Sequence, residues 1–302
     1  MRDLEFDNYY DPETRILHAN WDEGFFSNTT TALWALTDLA NEGISPKQIQ
    51  CARGWDKYCD RSIHGELDLY PIFFRDKQNL ATPPLRRFPR FKHHHRYALI
   101  KLDTLSAFVE KWFSPSECVL KKLQRNYSKY NFEPEKTIGV FYRGTDKESE
   151  VTVASIKKYL EFSRWLLERH PKFRILIQTD QRQARDLFVH EFKSKCFFLE
   201  EMPVTDGGIG LHYLPQSALD LDRIEFGKRV LAAANMLARC KILLNCTGNM
   251  ALWSALYRGS ALNMFQIDEL GNISNPDGSN FTKNPLIVAY RKIKGALRAI
   301  SS

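Results

Sequence analysis

The sequence predicts an α/β protein with two Rossmann-like domains facing each other across a cleft. Three observations predict it. Between about residues 137 and 266, short β-rich apolar runs alternate with segments of helical periodicity, the pattern of βαβ units in a mostly parallel sheet. The first part carries a looser version of the same alternation. The length, 302 residues, gives about two domains at roughly 150 residues each. We expect a first α/β domain over 1–135, a Rossmann-like domain over 136–270, and a closing segment over 271–302.

The elements follow in order. Arg15–Ala19 reads as a strand, Gly24–Asn28 as a loop and Thr29–Asn41 as a helix, and Ile49–Cys51 starts another strand. Residues 79–96 hold Pro83, Pro84 and Pro89 among Arg86, Arg87, Arg90, Lys92, His93, His94, His95 and Arg96, and read as a basic surface loop. Leu105–Tyr130 reads as helical, broken at Ser114-Pro115, where the proline suits a new helix start. Asn131–Lys136 reads as the interdomain linker. Thr137–Tyr142 is the first strand of the second domain. Ile156, Tyr159, Leu160, Phe162, Leu166 and Leu167 then recur near a 3.6 spacing. Strands are expected at Phe173–Ile177, Cys196–Leu199, Lys241–Asn245 and Ala261–Phe265, and helices at Arg182–Phe192, Arg223–Arg239 and Asn249–Tyr257. Pro285–Ile300 reads as a closing helix.

Composition narrows the class. Hydrophobic residues make up 43% and charged residues 26%, close to the globular average, which excludes a disordered chain, a collagen-like fibre and a coiled coil. No apolar run approaches the roughly 18 residues of a membrane span, and no signal peptide is read at the N-terminus. A cytoplasmic protein is expected, whose basic 86–96 segment offers a contact to an acidic membrane surface. The net charge of +7 favours anionic partners. The six cysteines form no CxxC pair, so no structural zinc site is expected. Three adjacent histidines on a strand point to alternating faces and do not converge on one ion; no metal site is predicted.

Three loops could carry chemistry. Tyr142-Arg143-Gly144-Thr145-Asp146-Lys147, followed by Glu148 and Glu150, begins where the first strand of the second domain ends. There Arg143 can meet a phosphate with a bidentate fork, Gly144 allows close backbone approach, and Glu150 or Glu148 can accept a proton, tuned by Lys147. Thr247-Gly248-Asn249, at the end of the fourth strand, makes a phosphate seat at a helix N-terminus. Gly24, Ser27 and Asn28 form a similar strand-to-helix loop on the opposite domain. Asp180, ending the second strand, reads as the cap of the following helix rather than as a ligand.

At these residues the chain resembles the α1,6-fucosyltransferases, the nodulation and core N-glycan type within the O-fucosyltransferase superfamily. Ile138-Gly-Val-Phe-Tyr-Arg-Gly-Thr-Asp-Lys147 is similar to that family's Val-Arg-Arg-Thr-Asp-Lys motif. Ile175–Asp180, Gly210-Leu-His212 and Lys241–Asn249 resemble further pieces in the same order, and Gly24–Asn28 resembles a first-domain loop of the O-fucosyltransferase branch. The similarity covers about 137–258 and is thin before that. It implies a GT-B fold and an inverting, metal-independent fucosyl transfer from GDP-fucose to a glycan or glycolipid acceptor, without a cofactor. Carried over by position, Arg143 would stabilise the leaving diphosphate, Glu150 or Glu148 would be the base with Lys147 as partner, and Thr247, Gly248 and Asn249 would contact donor. The family's His two before the Arg is Phe141 here, its second Arg is Gly144, and its helix Asp aligns near Ala233. The phosphate positions survive better than the base-reading ones. Another nucleotide-sugar donor, or a non-catalytic nucleotide-sugar or glycan binder on the same fold, therefore stays open. A nucleic-acid partner is not expected, because the basic loop lacks interleaved aromatic platforms.

Overall fold

The structure, a computed structural model, describes residues 2–82, 97–144, 154–206, 210–219, 221–268 and 271–274. Strands β1 (Arg2–Asp3), β2 (Tyr9–Asp11) and β3 (Ile16–His18) form an antiparallel meander. Each of β2 and β3 buries only its central residue, Tyr10 or Leu17, as a half-covered antiparallel sheet requires. The Asp11 carboxylate closes the β2–β3 turn by accepting from the Glu13 N–H at 3.0 Å and the Thr14 hydroxyl at 2.6 Å, the local bonding for which Asp is favoured in turns.

Helix α1 (Phe25–Asn41) follows. It starts four residues earlier than the periodicity suggests, because Phe25 and Phe26 are themselves core. Its Thr29-Thr30-Thr31 run buries three hydroxyls, and each bonds a carbonyl of the preceding turn, Phe25 O at 3.2 Å, Phe26 O at 2.6 Å and Asn28 O at 2.9 Å. Strand β4 (Gln48–Gln50) then lies parallel to β3. Among the described residues the first sheet thus has a single βαβ unit with two antiparallel strands added, not the doubly wound order of the second sheet.

Short helices α2 (Arg61–His64) and α3 (Tyr70–Phe73) lead to β5 (Phe74–Arg75). Helix α4 (Leu102–Trp112), β6 (Ser114–Pro115) and α5 (Glu117–Lys129) come next. Pro115 does not begin a helix as expected. It sits in β6 opposite Phe74, a two-stranded edge where a missing N–H is tolerated, and α5 starts at Glu117. Asn131–Lys136 is more structured than its composition suggests: Phe132 is buried against Tyr127 and Phe197, and Pro134–Lys136 is a 3-10 turn.

The second sheet begins with β7 (Thr137–Tyr142), all six residues of which are buried. The chain continues through α6 (Ile156–Arg169), β8 (Arg174–Thr179), α7 (Arg182–Phe192), β9 (Cys196–Phe197), α8 (Gln216–Leu219), α9 (Arg223–Arg239), β10 (Ile242–Asn245), α10 (Asn249–Arg258), β11 (Met264–Ile267) and β12 (Ile273–Ser274). The strand order is β12-β11-β10-β7-β8-β9, parallel except for β12. The chain winds outward from β7 through β8 and β9, then returns to the other side of β7 for β10 and β11. Such a reversal opens a crevice beyond the carboxyl ends of the two central strands. The antiparallel edge strand β12 is too short to show in the sequence. The 83–96 basic segment with its histidines, Thr145 to Glu150 and the 285–300 helix lie outside the described residues.

The two sheets share helices. α5 packs on α9, while α4 and α1 pack on α10. Gly227 of α9 makes the approach possible: a Cβ there would lie 2.7 Å from the Phe73 ring and 3.2 Å from Phe25. Replacing Gly227 with Ala removes a helix-weakening residue but forces two buried rings apart, and overpacking of this kind costs roughly 1–3 kcal/mol. Gly227→Ala is therefore expected to lower the urea midpoint; an unchanged or higher midpoint would show that the interface yields freely.

Candidate functional site

Register places the first two charges. Tyr142 of β7 is opposite Thr179 of β8, so the residues that follow, Arg143 and Asp180, emerge side by side at the carboxyl edge. Arg143 Nε is 3.7 Å from Asp180 Oδ2, and the Gly144 N–H points to Asp180 Oδ1 at 3.4 Å. Both side chains are largely shielded, 21% and 15% exposed. Asp180 therefore does not cap α7, whose N-cap is Gln181; it orients Arg143. A Cβ at Gly144 would lie 2.5 Å from Gln181 Oε1 and 2.8 Å from the Tyr142 ring, so a side chain there would have to displace one of them. Strand alternation sends Phe141 and Arg143 into the crevice and Tyr142 away from it, where its ring meets Tyr159 edge-on at 5.1 Å.

The second wall is the start of α10. Gly248 has φ 147° and ψ 163°, a backbone region essentially reserved for glycine. Its N–H donates to the buried Tyr97 hydroxyl at 2.9 Å, and its carbonyl accepts from the same hydroxyl at 3.0 Å. Asn249 and Met250 line the crevice, whereas Thr247 and Gly248 do not. Thr30 of α1 ties this turn to the first sheet: its hydroxyl accepts from the Trp253 indole at 2.9 Å and lies 3.3 Å from the Asn249 side-chain amide.

The facing wall comes from the loop before α1 and the first turn of that helix. Gly24 and Ser27 line the crevice, while Asn28 is fully buried behind it and accepts the Glu23 N–H at 2.8 Å. Glu23 itself, not singled out in the sequence, faces the crevice. Its carboxylate accepts from Lys57 Nζ at 2.8 Å and from the Tyr213 hydroxyl at 3.0 Å. Burial raises this carboxyl, and the bonds from Lys57 and Tyr213 outweigh that, holding it below its ordinary range. Lys57 is 34 residues away from Glu23, so no local spacing announces the pair. His212 lines the same rim beside Tyr213, with ring centroids 4.1 Å apart.

The crevice has a volume of about 440 Å³. Its α9 wall is apolar, made by Phe226 and Val230 one turn apart, with Met202 and Leu211 nearby. Ala233 is buried elsewhere on α9 and does not reach the crevice. Beneath Phe226, Tyr58 stacks at 5.7 Å and accepts the Phe25 N–H at 2.8 Å; burial pushes its hydroxyl far up, so it stays protonated. Among the described residues no cluster of three His, Cys, Asp or Glu side chains could hold a metal ion, and no helix is long and apolar enough to cross a membrane.

Neither a protein-family model nor a curated protein matches the chain. Solved structures do. One, a NodZ α-1,6-fucosyltransferase crystal soaked with GDP-fucose, superposes with a TM-score of 0.52 at 13% identity, covering 86% of this chain and 97% of that one. A second, fucosyltransferase NodZ from Bradyrhizobium, gives a TM-score of 0.49 at 15% identity over 86% and 98%. At such identity the first likeness establishes the fold alone.

Lys57→Met removes the nearest cation from Glu23. The Glu23 carboxyl is then expected to titrate at higher pH than in the parent protein, followed by carbon-13 NMR of labelled glutamate side chains. An unmoved titration would mean that Tyr213 alone sets it.

Proposed function

We propose that the protein is an inverting, metal-independent glycosyltransferase that moves L-fucose from GDP-fucose to a glycan or glycolipid hydroxyl. The observation that carries the proposal is Arg143, oriented by Asp180 at the strand-order reversal and facing the same crevice as the α10 N-terminus. The fold shared with a fucosyltransferase supports it.

Breaking the sugar–phosphate bond leaves negative charge on a diphosphate and positive charge on the sugar ring. A fixed guanidinium and helix N-terminal amides stabilise the first without a metal ion. Arg143 would take the β-phosphate oxygens, with the backbone of Asn249 and Met250 across from it. Thr145 and Asp146, next along the loop, would complete the donor contacts. On the sugar's opposite face a carboxylate deprotonates the acceptor hydroxyl. Glu150 would take that role with Lys147 as its partner, and Glu148 competes for it. Glu23, held deprotonated by Lys57, would accept a hydrogen bond from the incoming acceptor on the first-sheet side, next to Gly24, Ser27 and His212.

A second reading concerns the base. The α9 wall offers Phe226 and Val230 where a guanine-reading carboxylate would be needed, and Ala233 offers none. That favours a donor carrying a different nucleotide, on the same phosphate and sugar chemistry.

Arg143→Ala is expected to lower kcat/KM for transfer by roughly 10²- to 10³-fold, the scale for one preorganised donor, while circular dichroism stays that of the parent. Full activity in this variant would overturn the proposal. A thermal-shift panel of GDP, UDP, ADP and CMP decides the donor. Stabilisation by GDP alone supports the fucosyl donor, stabilisation by another nucleotide replaces it, and no shift with any rejects a nucleotide-sugar site.

A further inference from the structure

Tyr97 is separated from Gly248 by 151 residues, is fully buried, and directs its one hydroxyl at both polar groups of that glycine. The backbone geometry makes this possible. In an extended residue the N–H and C=O point to the same side, which is how paired strand residues exchange two bonds. At φ 147° and ψ 163°, Gly248 is extended in this sense, and the hydroxyl acts as a one-atom strand partner, accepting from the N–H and donating to the C=O. Tyr97 is itself fixed: its backbone N–H donates to Gln266 Oε1 of β11 at 2.9 Å. The Gly248 carbonyl also accepts the Leu252 N–H at 2.9 Å, the first bond of α10.

Two consequences follow. The Gly248 N–H is bonded to Tyr97, so it does not face a ligand, although glycine at a helix start is the obvious phosphate seat. The N–H groups that can have no partner within the helix begin at Asn249, and Asn249 and Met250 are the residues that line the crevice. The direction in which these amides point is set by the backbone of Gly248, which has no side chain to hold it and a conformation open to no other residue. On its other side Thr30 sits against the Asn249 side chain. The turn is therefore gripped from both sides, by a connecting segment of the first half and by α1.

We infer that Tyr97 is a positioning residue of the donor site: its hydroxyl bridges the two polar groups of Gly248 and so aims the Asn249 and Met250 amides at the diphosphate beside Arg143. The role rests on the nucleotide-sugar function proposed above. It places the anion contacts of this turn one and two residues after the glycine, not on it.

The test is Tyr97→Phe, which keeps the buried ring and removes only the hydroxyl. Tyr70→Phe is the control: Tyr70 is also buried and donates to the Trp112 carbonyl, away from the crevice. Calorimetric titration with inorganic pyrophosphate and with GDP is run on the parent and both variants, together with melting temperatures. Tyr97→Phe, which loses both bonds to Gly248, is expected to raise both dissociation constants by about five- to twentyfold. Tyr70→Phe is expected to lose comparable thermal stability with its affinities unchanged. Amide exchange of Gly248 should speed up only in Tyr97→Phe. Parental affinity in Tyr97→Phe, or an equal loss in Tyr70→Phe, overturns the positioning role while leaving the proposed function standing. Failure of the parent protein to bind pyrophosphate or any nucleoside diphosphate overturns the proposed function, and the role with it.

Discussion

β7 has no solvent-facing side: every residue from Thr137 to Tyr142 is buried, so both faces of the sheet around it need helices. Close packing on one face is possible because β7 carries Gly139, where a Cβ would lie 2.9 Å from Cys240 Sγ and 3.2 Å from Leu237. α9 can then lie close to the strand, with Ala232, Ala233 and Ala234 all buried. α9 and α10 are in turn covered by helices of the first half. Burying one strand on both sides therefore draws the first-half helices onto the second sheet and brings the loop before α1 against the carboxyl edge. The crevice is a result of that packing as much as of the strand-order reversal.

The charges in the crevice are distributed by the same geometry. On the sheet side, adjacent parallel strands end together, so a cation after β7 and an anion after β8 meet without further help from the fold. Asp180 then has a cost and a use. It partly neutralises Arg143, but it fixes a long side chain whose freedom would otherwise be lost on binding, a loss of the order of 1 kcal/mol for such a side chain. A guanidinium carries five N–H donors, so directing Nε to Asp180 is compatible with presenting others to a ligand.

Legibility from sequence followed the length and periodicity of each element. α7 and α9 run over the residues expected, Arg182–Phe192 and Arg223–Arg239, because their apolar stripes are long and their ends are marked by polar residues. β7 was legible because a strand buried on both faces is a continuous apolar run. The failures have physical causes. Pro115 suits a helix start in isolation, but its partner strand lies forty residues away in sequence and pairs only after folding. Gly24, Ser27, Arg143 and Asn249 reach the crevice, since strand-end loops and glycines are visible in sequence; His212, named only through the family resemblance, and Asp180, read as a helix cap, reach it too. Glu23, Lys57 and Tyr213 were missed because their alliance is made by tertiary contact alone. Thr247 and Gly248 were found for a sound reason, a glycine before a helix, yet the tyrosine hydroxyl that engages Gly248 could not be inferred from spacing.

Two walls of the crevice differ in their electrostatics. A diphosphate brought near Glu23 would meet a carboxylate, and Lys57 offsets that repulsion only in part, since its ammonium also bonds the Asp22 carbonyl and lies over the Tyr213 ring. Near Arg143 and the α10 N-terminus the same diphosphate meets a guanidinium and the positive end of a helix, each favourable to an anion. On the proposed function, donor and acceptor would share a space of about 440 Å³, and these opposed preferences would sort them before any specific contact is made. On that function, an anionic leaving group would be directed to the sheet edge and a neutral polyhydroxylated acceptor to the Glu23 rim, where the carboxylate would accept hydrogen bonds from its hydroxyls. The apolar wall of Phe226 and Val230 takes no part in this sorting. It would select only the flat or apolar group that fills the remaining space, so on that function the orientation of the reactants is more firmly encoded in this chain than the identity of the nucleobase.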